Sequence, residues 1–254
     1  MVETDTFTYS KKKPDLQQTP EQLLLITPER SQKLDLLIHL ITNLPQALVV
    51  CGPKGIGKTA LLNALLDRKL DNWLYCQVSA NAELSFESLQ ERLNQVFKSG
   101  KQSSLSQELL RIQSINRKLV LLIDNAGSLV PGLFTAIIQF AWANPALRIV
   151  FAMTPDDVHV KSSTDHLIND CHFVEIPPLS EPQCGVFLQQ LAVKSWPQLP
   201  LGAINEELTR QVYTETHGIP GQIIAALPAL TKRKRSISSF AWLMMAVVVL
   251  VGLA

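Results

Sequence analysis

Val50-Cys51-Gly52-Pro53-Lys54-Gly55-Ile56-Gly57-Lys58-Thr59 joins an apolar run, Ala47 to Cys51, to a helical pattern that opens at Ala60. Gly52 to Thr59 has the spacing G-x-x-x-x-G-K-[ST], which is that of a P-loop. A polyphosphate makes three demands, and each is met here. Backbone N–H groups must converge on it, which favours residues without a Cβ at Gly52, Gly55 and Gly57. The positive end of a helix must face it, and the helix from Ala60 supplies that. A flexible cation must reach the outer phosphates and a hydroxyl must hold Mg²⁺, here Lys58 and Thr59. Pro53, Lys54 and Ile56 complete the loop, and Ala60 adds a first-turn N–H.

Working outward, apolar strands alternate with amphipathic helices. Leu34, Leu37, Ile38 and Ile41 recur at helical spacing after a start at Thr27-Pro28-Glu29-Arg30, and Pro45 ends that helix. Asn72 to Val78 reads as a strand, and Phe86, Leu89, Leu93 and Val96 as a helix capped by Ser85. Ser99 to Gln107 reads as a polar linker, with a further helix from Leu109 towards Asn116. Leu119 to Asp124 is a continuous apolar run ending in a carboxylate, the pattern of a strand buried on both faces of a parallel sheet. Asp124 then falls at the carboxyl edge, where such sheets bind ligands, and is the candidate to order Mg²⁺ opposite the loop. The alternative is an Asp that caps the next turn.

A helix from Leu133 to Ala143 precedes a strand from Leu147 to Met153. Thr154 follows, either orienting water near a terminal phosphate or simply starting the turn before Pro155. His172 to Ile176 makes a last short strand, which Pro177-Pro178 breaks. Helical patterns follow, with Ser180 and Gln183 as a capping box, Leu188 to Lys194, Ile204 to His217 closed by Gly218, and a last helix from Pro220-Gly221. The fold class is therefore α/β, a doubly wound parallel sheet with a small C-terminal helical lid. Residues 1–22 read as a flexible tail, 23–178 as the P-loop domain and 179–231 as the lid.

Charge and cysteine usage narrow the setting. Net charge is +1, but four of the 23 basic residues are Lys232-Arg233-Lys234-Arg235, and no acid follows them. The chain before that quartet carries 19 basic against 22 acidic residues, a net of −3, which speaks against a general nucleic-acid binder. Cys51, Cys76, Cys171 and Cys184 lack metal-like spacing and suit buried thiols in a reducing compartment. His159, His166 and His172 have no ligands spaced with them for zinc.

Ile237 to Ala254 contains no charge. As a helix it would span about 27 Å, adequate for a bilayer core of about 30 Å. Residues 232–236 then form a basic juxtamembrane segment and 237–254 one transmembrane helix. The positive-inside pattern places residues 1–235 in the cytoplasm, single-pass at the inner membrane. One alternative is a buried core helix, and another is that the quartet binds nucleic acid; the apolar end itself is either a tail anchor or the point where a longer protein is cut.

These residues resemble the AAA+ ATPases of the ExeA/DamX group over roughly residues 22 to 230. The resemblance rests on Leu25-Ile26-Thr27-Pro28-Glu29-Arg30, the P-loop, Leu122-Ile123-Asp124, Pro177-Pro178-Leu179-Ser180 and His217-Gly218-Ile219-Pro220. With the apolar C-terminal segment, it is nearest the cytoplasmic and membrane-spanning part of DamX-like cell-division proteins. It implies ATP (or another NTP) and Mg²⁺ as cofactors, held by Gly52 to Ala60 and Asp124, with Ile219 and Pro220 as candidates to touch the base. It also implies homo-oligomer or envelope and division partners, and a periplasmic SPOR-type domain beyond Ala254.

Three departures stand out. Hydrolytic members carry a Glu after the Asp that ends the third strand; here Asn125 can orient water but cannot accept its proton. They carry an Arg before the last strand, where this chain has Asn169-Asp170-Cys171. They carry an Arg after the lid's G-[IL]-P, where Gly221 follows Pro220. An arginine finger alone contributes about 10³–10⁵ in rate. The expectation is a nucleotide switch with weak or no hydrolysis, against two rivals: a motor ATPase like ExeA-type secretion proteins, with another acid replacing Asn125, and an interaction module with a vestigial P-loop.

Overall fold

The computed structural model describes residues 27–97, 104–194 and 199–228. The tail, the basic quartet and the transmembrane expectation at 237–254 lie outside the described residues. No helix among the described residues is long and apolar enough to cross a membrane.

Helix α1 (Pro28–Asn43) starts at Thr27, whose hydroxyl accepts from the Arg30 N–H, and leads to β1 (Leu48–Cys51). The P-loop then opens α2 (Lys58–Asp67), followed by β2 (Trp73–Ser79), α3 (Phe86–Val96), α4 (Leu105–Ser114) and β3 (Lys118–Asp124). Next come α5 (Leu133–Ala143), β4 (Leu147–Met153), α6 (Pro155–Thr164) and β5 (His172–Glu175). The lid comprises α7 (Glu181–Lys194), α8 (Glu206–Thr216) and a last helix, α9, over residues 220–228.

All five strands are parallel, in the order β2-β3-β4-β1-β5. Alternate residues of each strand serve opposite faces, and two cores result. Leu48, Val50, Val120, Leu122, Val150 and Ala152 pack under α1 and α2. Val49, Leu121, Ile123, Phe151 and Met153 pack under α3, α4 and α5. Burial on both faces is why these strands read as unbroken apolar runs. From β1 the chain crosses to the far edge at β2, while β5 lies on the other side of β1. The crevice at this reversal opens above the carboxyl end of β1, where the P-loop sits.

The structure departs from the sequence reading in two elements. Helix α6 had no counterpart there. Helix α4 begins at Leu105, inside the expected linker, because Ser104 and Gln107 form a reciprocal capping box. Helix α7 begins at Glu181, directly after the expected capping residue, with the Gln183 side chain accepting from the Ser180 N–H at 2.9 Å. The lid has its own core of Leu179, Cys184, Leu188, Val212, Ile223 and Leu227, joined by one residue of the P-loop helix, Ala60.

Candidate nucleotide-binding site

The P-loop helix starts without a side-chain cap, because its N-cap is Gly57 at φ 106°. The Ile56 N–H donates to the Pro53 carbonyl at 3.2 Å and the first helical bond runs from the Leu61 N–H to the Gly57 carbonyl, which leaves the N–H groups of Gly57, Lys58, Thr59 and Ala60 without a described acceptor. These are the donors that a phosphate would use. The Ala60 side chain is committed to the lid core, so that residue offers only its backbone.

Lys58 lies back across its own loop. Its Nζ donates to the Gly52 carbonyl at 2.7 Å and the Pro53 carbonyl at 3.1 Å. Burial holds its pKa below the ordinary lysine value, partly offset by the negative charge of Asp124. A polyphosphate would offer this ammonium a better partner than two neutral carbonyls.

Thr59 and Asp124 come together across β4. The Thr59 hydroxyl donates to Asp124 Oδ2 at 2.6 Å, while Asp124 Oδ1 accepts from the Asn125 N–H at 2.8 Å. Two hard oxygen donors thus converge beside the loop, which suits Mg²⁺. No group of three or more His, Cys, Asp or Glu side chains among the described residues is arranged to hold a metal. The donor set therefore fits a Mg²⁺ that arrives with phosphates supplying its remaining ligands, with Thr59 and Asp124 as the protein's share.

Asn125 and Thr154 sit at the same edge, each engaged elsewhere. Asn125 takes the left-handed conformation, φ 53°, and its Nδ2 donates to Ser79 Oγ at 3.4 Å on the strand beyond β3. Thr154 caps α6: its hydroxyl donates to Asp157 Oδ2 at 2.7 Å and accepts from the Asp157 N–H at 3.2 Å. Its one hydroxyl proton is given to the cap and not to a water. Asn169 and Asp170 lie exposed in the turn before β5, with no guanidinium at that place.

The lid reaches the loop through backbone. The Gly221 N–H, at the start of α9, donates to the Gly55 carbonyl at 2.9 Å. A Cβ at residue 221 would lie 2.7 Å from the Gly55 Cα, so no side chain fits there while this contact holds. Ile219 packs partly buried against the α1–α2 core, and Pro220 is buried.

Sequence reading missed Arg30 as part of this site. Its side chain is 1% exposed. Nη1 donates to the Ile56 carbonyl in the P-loop at 2.8 Å, and Nη2 to the Pro177 carbonyl at 2.9 Å. Burial lowers its pKa to about 10. The signal was present: Arg30, Leu34, Leu37 and Ile41 stand at i, i+4, i+7 and i+11, so the arginine continues the apolar stripe of α1.

The family model that matches the chain is that of an AAA domain, over residues 20–159. No curated protein matches the chain. Among solved structures, the fold is similar to a Walker-type ATPase of Pyrococcus abyssi, at 17% identity and TM-score 0.57, covering 88% of this chain and 77% of that one. It is similar to the ORC2 protein of Aeropyrum pernix, solved as ADPNP–ADP complexes, at 12% identity and TM-score 0.57, covering 84% of this chain and 64% of that one. The Cdc6p structure of Pyrobaculum aerophilum gives 14% identity and TM-score 0.51, covering 91% of this chain and 66% of that one. The chain thus spans less than two thirds of the length of the last two, and at these identities the likeness is one of fold.

Proposed function

The chain belongs to the AAA domain family, and from that premise we propose that its nucleotide-binding ATPase domain works as a conformational or assembly switch with weak or no hydrolysis. The observation that carries this reading is the bond from the Gly221 N–H to the Gly55 carbonyl. The loop that would cradle the phosphates is also the anchor of the lid. Nucleotide would draw Lys58 off the Gly52 and Pro53 carbonyls and load the loop's N–H groups. Any displacement of Gly55 then passes to α9, and through Ala60 to the lid core. A switch needs different affinities for nucleotide in two lid positions, and this contact offers a direct route to such a difference.

Weak turnover is supported at three places. Asn125 lacks a carboxylate and is turned to Ser79. The turn before β5 presents Asn169 and Asp170 where the resembled family carries an arginine. Gly221 stands where a second arginine would extend. ATP, with Mg²⁺ held by Thr59 and Asp124, is the proposed ligand.

The setting rests on sequence pattern and resemblance. The uncharged run 237–254 after Lys232 to Arg235 supports a single-pass anchor in the inner membrane, with the P-loop domain in the cytoplasm. The ExeA/DamX resemblance supports envelope or division proteins, or further copies of this chain, as partners. The test is equilibrium binding of ATP with Mg²⁺ to the full chain, with Lys58→Ala as control and phosphate release followed in the same samples. The expected result is saturable binding, lost in the variant, with no sustained release. Multiple turnover would overturn the switch in favour of a motor, and absence of binding would leave the fold without its nucleotide role.

A further inference from the structure

Arg30 is a buried cation with no carboxylate beside it among the described residues. No described carboxylate lies within ion-pair distance, and its neighbour Glu29 is turned outward to accept from Gln183 Nε2 at 2.7 Å. Its Nε has no hydrogen-bond partner among the described residues. Two carbonyls satisfy the terminal nitrogens but do not neutralise the charge, and burying an uncompensated charge is costly. Such a group needs an explanation beyond packing.

The explanation lies in which carbonyl it holds. A trans peptide points its C=O and its N–H in opposite directions. The C=O of the Ile56–Gly57 peptide is drawn inward to Arg30 Nη1. The N–H of the same peptide, on Gly57, is thereby aimed outward at the crevice, where it has no described acceptor. A cation on the carbonyl also polarises that N–H and makes it a stronger donor. We propose that Arg30 is a positioning residue for the nucleotide, which aims and polarises the Gly57 N–H from behind the loop, and that the polyphosphate is the counter-ion its burial lacks. The second bond, to Pro177 where the chain leaves β5 for the lid, fixes the guanidinium so that it holds the loop in one attitude.

This inference rests on the nucleotide-binding reading above. The test measures ATP, ADP and AMP affinities of the full chain by calorimetry for the native protein, Arg30→Gln, Arg30→Lys and Lys58→Ala. Arg30→Gln is expected to weaken ATP by about tenfold or more, the scale of one charge-assisted hydrogen bond, and AMP by clearly less. Arg30→Lys, which keeps the charge, is expected to recover part of the loss. A merely structural arginine would lower thermal stability while weakening ATP and AMP equally, and that result overturns the proposal. A second readout needs no variant. In the native chain the Arg30 Nε–H nitrogen resonance is expected to shift on saturation with ATP and not with adenosine; an unmoved resonance also overturns it. Failure of the native chain to bind ATP removes the nucleotide reading itself. Native binding, lost in Lys58→Ala but equal in both Arg30 variants, removes this inference alone.

Discussion

Two loops border the crevice, and they are secured by opposite means. The loop after Asp124 is tied to α6 by side chains spaced four residues apart. Asp157 lies against Gly127, where a Cβ would meet its carboxyl carbon at 2.2 Å. Lys161 donates to the Leu129 carbonyl, and Asp165 accepts from the Gly132 N–H at 3.1 Å and the Thr135 hydroxyl at 3.0 Å. Lys161 and Asp165 are both buried and lie 3.9 Å apart. The P-loop, by contrast, meets the lid through two glycines and one N–H···O=C bond at a place where Gly55 is exposed, with the small Ala60 side chain packed behind them in the lid core. A clamp of buried charges cannot open without stranding them. A glycine contact at the surface can part and leave both backbones to water. The edge carrying Asp124 is thus the fixed half of the site, and the lid contact is the half free to move.

The largest effect is expected at Asp165. Asp165→Ala leaves Lys161 buried without its partner and strips the start of α5 of its acceptor. The expected cost is about 3–5 kcal/mol of stability, read as a shift of the urea midpoint. A loss below about 1 kcal/mol would mean that the clamp is not what secures this loop.

At the lid the expected effects fall on affinity rather than stability. Gly221→Ala places a Cβ against Gly55, so the lid must lift and the Gly55 carbonyl loses its donor. Stability should fall by about 1 kcal/mol, as for one exposed hydrogen bond, while ATP affinity changes several-fold. A variant with native ATP affinity would uncouple lid from loop and remove the basis for a switch.

Asn125→Glu probes the fixed half again. The left-handed backbone at residue 125 suits Asn and strains Glu by about 1 kcal/mol, and it directs the side chain towards Ser79. The variant should lose about that much stability and should not gain phosphate release. A large gain would show that the missing carboxylate alone limits turnover.

The two halves were unequally legible in the sequence. The P-loop and Asp124 are visible because glycine spacing and an unbroken apolar run are properties of consecutive residues. The strands read correctly because both faces of the sheet are covered. Helix α6, Pro155-Asp156-Asp157-Val158-His159-Val160-Lys161, escaped because its tie to the loop is polar, and hydrophobic periodicity does not register it. Its signal was an acid, a lysine and an acid at intervals of four, with Thr154 and Asp157 as a capping box ahead of them. The contact of Gly221 with Gly55 joins residues 166 positions apart and leaves no local pattern at all. Arg30 lies between these cases: its place on the apolar stripe was readable, but its partners at Ile56 and Pro177 required the fold.

The smallest effect expected is one of pH, and its two signs test whether Lys58 belongs to the mobile half. Burial holds the Lys58 pKa below its unfolded value, so between the two values the unfolded chain binds more protons. Lys58's contribution to the stability of the nucleotide-free protein therefore rises with pH across that window, because the buried charge is being relieved. ATP affinity runs the other way. Phosphate requires the charged ammonium, so affinity falls as pH climbs through the lowered pKa, earlier than for an ordinary lysine. Asp124→Asn removes the charge that opposes the lowering, and the fall in affinity should move to lower pH still. Calorimetric titrations at rising pH, on the native chain and this variant, read the shift directly. If affinity stays level until the ordinary lysine range in both, then the ammonium is already out in water, and its bonds to Gly52 and Pro53 do not describe the state that nucleotide meets.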